Sequence, residues 1–249
     1  LLSGRVGIHL APSDFLPTRE TVEKLLQIGL PASVEMSTQS LGITVVTALV
    51  AIAGSDAVAA YGIGTRVTSL VVLPALGLAR GTETVVGQNL GAGRGDRAER
   101  AVKLAATTGA VVMAGVAVVA LVFAEPIVSV FISSTTADAT ATIENGVQYL
   151  RIRTVEFAFI GVLQVVLGAY RGAGNTRTAL AFSLTALWLG RVPTVYLLTF
   201  TLGLGATGIW IGMALGNIVG AVAAVAWFTR GTWKDTVVET DDGSRAETA

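Results

Sequence analysis

The stretch "LAATTGAVVMAGVAVVALVFA", residues 104–124, contains no charged side chain. As a helix it would extend about 30 Å, the thickness of a bilayer's hydrocarbon core. A second run, "GLGATGIWIGMALGNIVGAVAAVAWFT" at 203–229, is also free of charge. Four interrupted apolar segments, about 22–53, 57–87, 146–170 and 178–200, complete a set of six candidate spans. The interruptions are Glu35, Arg66, Arg80, Glu83, Arg151, Arg153, Glu156 and Arg191, with Pro31, Pro74 and Pro193. Pro74 and Pro193 are expected to kink their helices, which a bilayer tolerates where neighbouring protein satisfies the freed carbonyls.

The composition agrees. Of 249 residues, 52% are hydrophobic and 14% charged, against about 25% charged in ordinary soluble domains. Mean hydropathy is +0.68. Lysine plus arginine and aspartate plus glutamate each total 17, so no basic field predicts a nucleic-acid partner. The chain has no cysteine, and its one histidine, His9, falls in a terminal loop. These counts argue against disulfides, a cysteine or histidine metal site, and a catalytic triad. No catalytic residue is assigned.

The segment just before the first run, "VVGQNLGAGRGDRAERAVK" at 85–103, then reads as a turn between spans. Gly91, Gly93 and Gly95 permit the chain to leave one helix sharply, and Asp96 is the expected N-cap of the next. A phosphate-binding loop would need a Gly-Lys-Ser/Thr ending and a preceding βαβ unit, and neither is present.

Charge orients the bundle. One set of loops carries Arg5, Arg19, Lys24, then Arg94, Arg97, Arg100, Lys103, then Arg171, Arg177, then Arg230 and Lys234. The opposite loops, near 54–56, 125–145 and 201–206, carry Asp56, Glu125, Asp138 and Glu144 without lysine or arginine. The first set, with both termini, is expected to be cytoplasmic in a multi-pass cell-membrane protein. Arg151 and Arg153, near the outer end of the fourth span, are exceptions.

Five motifs now carry a resemblance: "IGLPA" (28–32), "AAYGIGTRV" (59–67), "VGQNLGAGRGDRA" (86–98), "YRGAGNTR" (170–177) and "RVPTVYLL" (191–198). In this order and spacing they resemble the carboxy-terminal half of the multidrug and toxic compound extrusion (MATE) family. The resemblance implies an all-α, polytopic lobe of six helices, half of a twelve-helix transporter and not an enzyme. It also implies antiport of organic, often cationic, compounds against Na⁺ or H⁺ as coupling ion, with no other cofactor. The implied partners are the lipid bilayer, small organic substrates and a missing amino-terminal lobe, supplied upstream or by a second copy. The start at Leu1 and the helix-tail look of "LLSGRVGIHL" predict a fragment. On this reading residues 1–24 are an inter-lobe connector, 25–230 the lobe and 231–249 a disordered acidic cytoplasmic tail. Within the connector, "APSDFLPTRETVEK" is expected to end in a short amphipathic helix capped near Thr18.

Ionised groups in the membrane are costly and mark function. Glu35 and Glu156 are the candidate cation-coupling sites for a proton or Na⁺, and Thr38, Gln39, Arg66, Gln164 and Arg191 the candidate cavity residues. A structural alternative pairs Glu156 with Arg66 and Glu35 with Arg191. The resemblance also allows the fourth-helix acid to belong a turn deeper, where this chain has Ile160. Gly208, Gly212, Gly216 and Gly220, extended by Ala224, form a small face for helix packing, with Asn217 beside it able to hydrogen-bond. Trp188, Trp210, Trp227 and Trp233 read mostly as interfacial anchors, Trp188 and Trp210 alternatively as cavity residues. Tyr61, Tyr149 and Tyr196 read as packing or anchoring groups, with stacking on aromatic substrates as the alternative. Rival functions are a flippase for lipid-linked saccharides, favoured by Arg66 and Arg191, and a non-transporting membrane scaffold.

Overall fold

A computed structural model describes residues 18–131, 139–231 and 233, all helical or in short connections. The long helices are α1 (Arg19–Ile52), α2 (Ser55–Gly91) and α3 (Gly95–Val122), followed by a short α4 (Ala124–Ser129). Next come α5 (Ala139–Thr154) and α6 (Phe157–Gly172). The chain then runs through α7 (Thr176–Leu184), a π-helical stretch Thr185–Arg191, α8 (Val192–Tyr196) and a second π-helical stretch Leu197–Thr201, and ends in α9 (Gly205–Phe228). Five segments, counting Thr176–Thr201 as one, are long and apolar enough to cross a membrane, and the α5–α6 pair makes a sixth. Among the described residues the expected all-α lobe is thus observed, with five candidate spans and a sixth if the bent pair is one span.

α6 is the hub. Its residues from Phe157 to Tyr170 are largely buried, while α3 turns Val111, Val118 and Val122 outward, as a lipid-facing helix does. Small residues let neighbours approach α6 closely: a Cβ at Gly161 would lie 2.8 Å from the Gly109 carbonyl oxygen of α3, and one at Gly168 2.5 Å from that of Ala79 in α2. Without a hydrophobic drive between helices in lipid, such backbone contact supplies the association.

Two turns repeat one device. Gly93, at φ +68°, ends α2 with Arg94 N donating to Asn89 O (2.8 Å) and Gly93 N to Leu90 O (2.9 Å). Gly174, at φ +74°, ends α6 with Asn175 N donating to Tyr170 O and Gly174 N to Arg171 O, both at 2.9 Å. This 6→1 and 5→2 pair is a Schellman closure, which needs a left-handed residue. The 85–103 segment is therefore a turn, although Asp96 lies inside the first turn of α3 and Arg94 takes the cap position.

Other local expectations change. Thr18 does cap a helix, accepting from Thr21 N at 3.2 Å, but the helix is α1 itself, running unbroken through Pro31 to Ile52. A separate amphipathic helix is absent from the described part of the connector. Pro74 sits within continuous α2. Around Pro193, which lacks an N–H, the ladder changes to π-type bonding on both sides, as freed carbonyls require. Thr194 Oγ1 donates toward Gly190 O within the segment and Gly212 O of α9 (3.0 Å). The fourth span is not one rod: α5 and α6 meet at 54°, breaking between Thr154 and Phe157. Trp233 is fully buried and stacked on Phe228 at 4.8 Å, not an interfacial anchor. The expectations for His9, the rest of residues 1–17 and the tail from 234 lie outside the described residues.

Candidate functional site

Two buried carboxylates sit at opposite ends of α6, about 22 Å apart along its axis by helical rise. Glu35, on α1, is 2% exposed and Glu156 is fully buried. Each is held by a different set of partners.

At Glu35, Arg171 donates through Nη2 to Oε1 at 2.5 Å and through Nε to Oε2 at 3.4 Å. Ser183 Oγ donates to Oε1 at 2.6 Å, and Gln39 Nε2, one turn further along α1, at 3.3 Å. Arg171 is the penultimate residue of α6, inside its last turn, not a loop residue. Its fork matches the planar carboxylate on two atoms. Nearby, Thr176 Oγ1 donates to Ile28 O at 3.2 Å, so α1 is tied to α6 and α7 at two levels. Glu35 does not meet Arg191, correcting that expected pair.

Glu156 stands in the break between α5 and α6, immediately before the first residue of α6, where the helix dipole favours a negative charge. Arg153 Nη2 lies 2.7 Å from its Oε1, in charge contact but misaligned for a hydrogen bond. Asn217 Nδ2, from α9, donates to Oε2 at 2.7 Å, and Asn217 Oδ1 accepts from Arg191 Nη2 at 2.5 Å. An arginine, a glutamate, an asparagine and a second arginine thus form one chain across α5, α9 and the segment preceding Pro193. Arg66 is exposed and takes no part, which corrects its expected pairing with Glu156. Alternate-face geometry explains the change: Arg153 and Glu156 are three residues apart and project together, whereas Arg66 projects outward from α2.

Beside these clusters lies a cavity of about 790 Å³, lined by Gln39, Tyr61, Thr68, Tyr149, Arg153, Gln164, Ser183, Arg191 and Asn217 among apolar side chains. Gln39 and Ser183 connect it to Glu35, Arg153 and Asn217 to Glu156. Of the sequence candidates, Gln39, Gln164 and Arg191 line it; Thr38 and Arg66 do not. Trp210 is buried behind the wall, stacked on Tyr61 (6.2 Å) and edge-on to Tyr149 (4.8 Å). Ile160 also lines the cavity. The side chains missed from sequence are Arg171 and Ser183, whose link to Glu35 is entirely tertiary. Arg153 was legible through its spacing from Glu156.

The glycine face of α9 holds Arg191 in place. A Cβ at Gly216 would lie 2.6 Å from Arg191 Cα, at Gly212 2.6 Å from Val195 N, and at Gly208 2.7 Å from the Leu198 carbonyl carbon. Gly220 similarly faces the Ala186 side chain. These approaches bring the π-helical segment against α9, so the Arg191 guanidinium reaches Asn217.

Among the described residues, five apolar helices and the bent α5–α6 pair surround two buried ion pairs and a cavity. The chain belongs to the MatE family, whose model matches residues 31–197; its members are transporters, not enzymes. The probable multidrug resistance protein NorM of Pseudomonas aeruginosa is 32% identical over 216 residues, 86% of this chain and 44% of that protein. NorM of Thermotoga maritima is 26% identical over 231 residues, 90% and 47% of the two chains. An outward-facing multidrug resistance MATE transporter superposes with a TM-score of 0.83 at 23% identity, covering 92% of this chain and 51% of the other. The chain spans about half the length of the curated relatives it matches.

Proposed function

We propose that this lobe forms half of a secondary active exporter that moves organic compounds out of the cell in exchange for Na⁺ or H⁺. A second lobe, on the same polypeptide or another copy, would close the cavity, and the two would rock by alternating access. The arginine-rich turns at Gly93 and Gly174 would face the cytoplasm of the cell membrane, where anionic lipid attracts them.

The observation that carries this reading is the buried carboxylate of Glu35, held by residues that line the cavity. Its partner Arg171 comes from another helix, and the cluster opens onto the cavity through Gln39 and Ser183. A coupling cation binding Glu35 would replace the guanidinium and release one of the two ties between α1 and the α6–α7 corner. Because binding shifts only those equilibria in which the two states bind differently, coupling requires that this tie differ between inward- and outward-open states. Glu156, already committed to Arg153 and Asn217, is the second candidate.

Proteoliposome flux tests the proposal: Glu35→Gln should abolish export driven by a Na⁺ or H⁺ gradient while leaving the protein folded. Unchanged cation-driven export would remove Glu35 from the mechanism. A second reading, a flippase of lipid-linked saccharides, draws support from the two arginines in the cavity wall; it would show as movement of lipid-linked sugar without a cation gradient. Absence of any flux from the complete protein would favour a scaffold.

A further inference from the structure

Among the described residues, the charged side chains lining the cavity are Arg153 and Arg191, with no aspartate or glutamate. Glu156 touches both through its own contact and through Asn217, yet with this carboxylate fully ionised the cluster still carries one positive charge in excess, because arginine stays protonated. Glu35 does not alter the balance, since Arg171 neutralises it.

Donors remain unused as well. Arg153 is 4% exposed, and its Nε and Nη1 are buried with no hydrogen-bond partner among the described residues. The same holds for Arg191 Nε; the Tyr149 hydroxyl lies beside Thr68 Oγ1 and the Arg153 guanidinium, and neither hydroxyl makes a well-aligned hydrogen bond. All four side chains line the same cavity, and Arg153 lies over the Tyr149 ring at 5.7 Å. Glu156 Oε1 is also buried without a hydrogen bond among the described residues, but one carboxylate cannot offset two guanidiniums. Buried donors without acceptors cost stability, so the wall has room for a further acceptor.

We infer that this cavity holds an oxyanion: the carboxylate, sulfate or phosphate group of an amphipathic molecule docks between Arg153 and Arg191, with the Tyr149 and Thr68 hydroxyls donating to it. Tyr61 and the apolar lining of Ile43, Val72 and Leu76 then take the molecule's hydrocarbon part. The inference rests on the transport reading for the fate of the bound molecule, but binding itself needs no flux. It changes the expected cargo, since a lone organic cation meets like charge on this wall. A soluble organic anion and a membrane lipid with a phosphate headgroup share the chemistry.

The test uses the complete protein carrying this lobe, in nanodiscs of phosphatidylcholine. Two probes of opposite charge are compared: radiolabelled estrone sulfate and tetraphenylphosphonium. Estrone sulfate should bind, and Arg191→Gln should weaken it about tenfold or more, as expected for loss of a charge-assisted bond, while tetraphenylphosphonium binding is unchanged or tightened. Tyr149→Phe and Thr68→Val, which break no ion pair, should each weaken estrone sulfate several-fold, so the result does not depend on a variant that disturbs folding. Displacement of estrone sulfate by undecaprenyl phosphate in the disc assigns the site to a lipid headgroup; resistance to it assigns the site to a soluble anion. Tetraphenylphosphonium binding alone, or estrone sulfate binding unaffected by all three variants, overturns the inference. Should the complete protein show no cation-driven export while Arg191→Gln still weakens estrone sulfate, the antiport reading falls and the oxyanion site stands.

Discussion

Arg171 and Glu35 are 136 residues apart in sequence and 2.5 Å apart in space. The pair joins the end of α6 to the middle of α1, beside the second tie from Thr176 to Ile28.

Removing one partner tests the pair. Arg171→Ala leaves a carboxylate buried without its counter-charge, a change that costs about 3–5 kcal/mol in comparable sites. The thermal midpoint, read by fluorescence-detected size exclusion, should drop clearly. Adding Glu35→Gln should restore most of it; a double variant as unstable as the single would show that Arg171 acts by packing.

Asn217 supplies two hydrogen bonds to charged groups at once. Asn217→Leu keeps the approximate volume but removes both, and such bonds are worth about 1.5–3 kcal/mol each. The variant should unfold at lower temperature than Asn217→Gln, whose amide retains both functions. Equal stability of the two would mean that the Glu156–Asn217–Arg191 chain contributes little.

Glycines of α9 and α3 should respond oppositely to the same change. Gly216→Ala forces a methyl to 2.6 Å from Arg191 Cα, whereas Gly115 has nothing within 4 Å. Overpacking costs about 1–3 kcal/mol, so Gly216→Ala should lower the midpoint and Gly115→Ala should not. A harmless Gly216→Ala would indicate that the segment around Pro193 moves freely away from α9.

Orientation can be read directly, because the chain has no cysteine. In spheroplasts, Arg94→Cys and Arg177→Cys should resist a membrane-impermeant maleimide, whereas Ser55→Cys and Leu202→Cys should react. Reaction of Arg94→Cys from outside would invert the proposed topology.

Much of the architecture was legible along the chain. Charge-free runs such as 104–124 mark spans because lipid accepts only helices that satisfy their own backbone, a demand met locally. The turns at Gly93 and Gly174 are local too, since a left-handed residue must be supplied where the helix ends. The break at Glu156 was not: "RIRTVEFAF" (151–159) contains neither glycine nor proline.

The sequence by itself therefore determined the candidate spans, the turns, and the fact that Glu35 and Glu156 need partners, because each follows from the cost of placing a given residue in hydrocarbon. Only the tertiary structure decided which partners they found. Arg171 reached Glu35 because α6 ends beside α1. Arg191 reached Asn217 because a row of glycines let two helices touch. Arg66, equally charged and also placed within a span, was turned away from the cavity. Electrostatic attraction between side chains depends on distances of a few ångströms, and those distances are set by how whole helices pack rather than by the order of residues along any one of them.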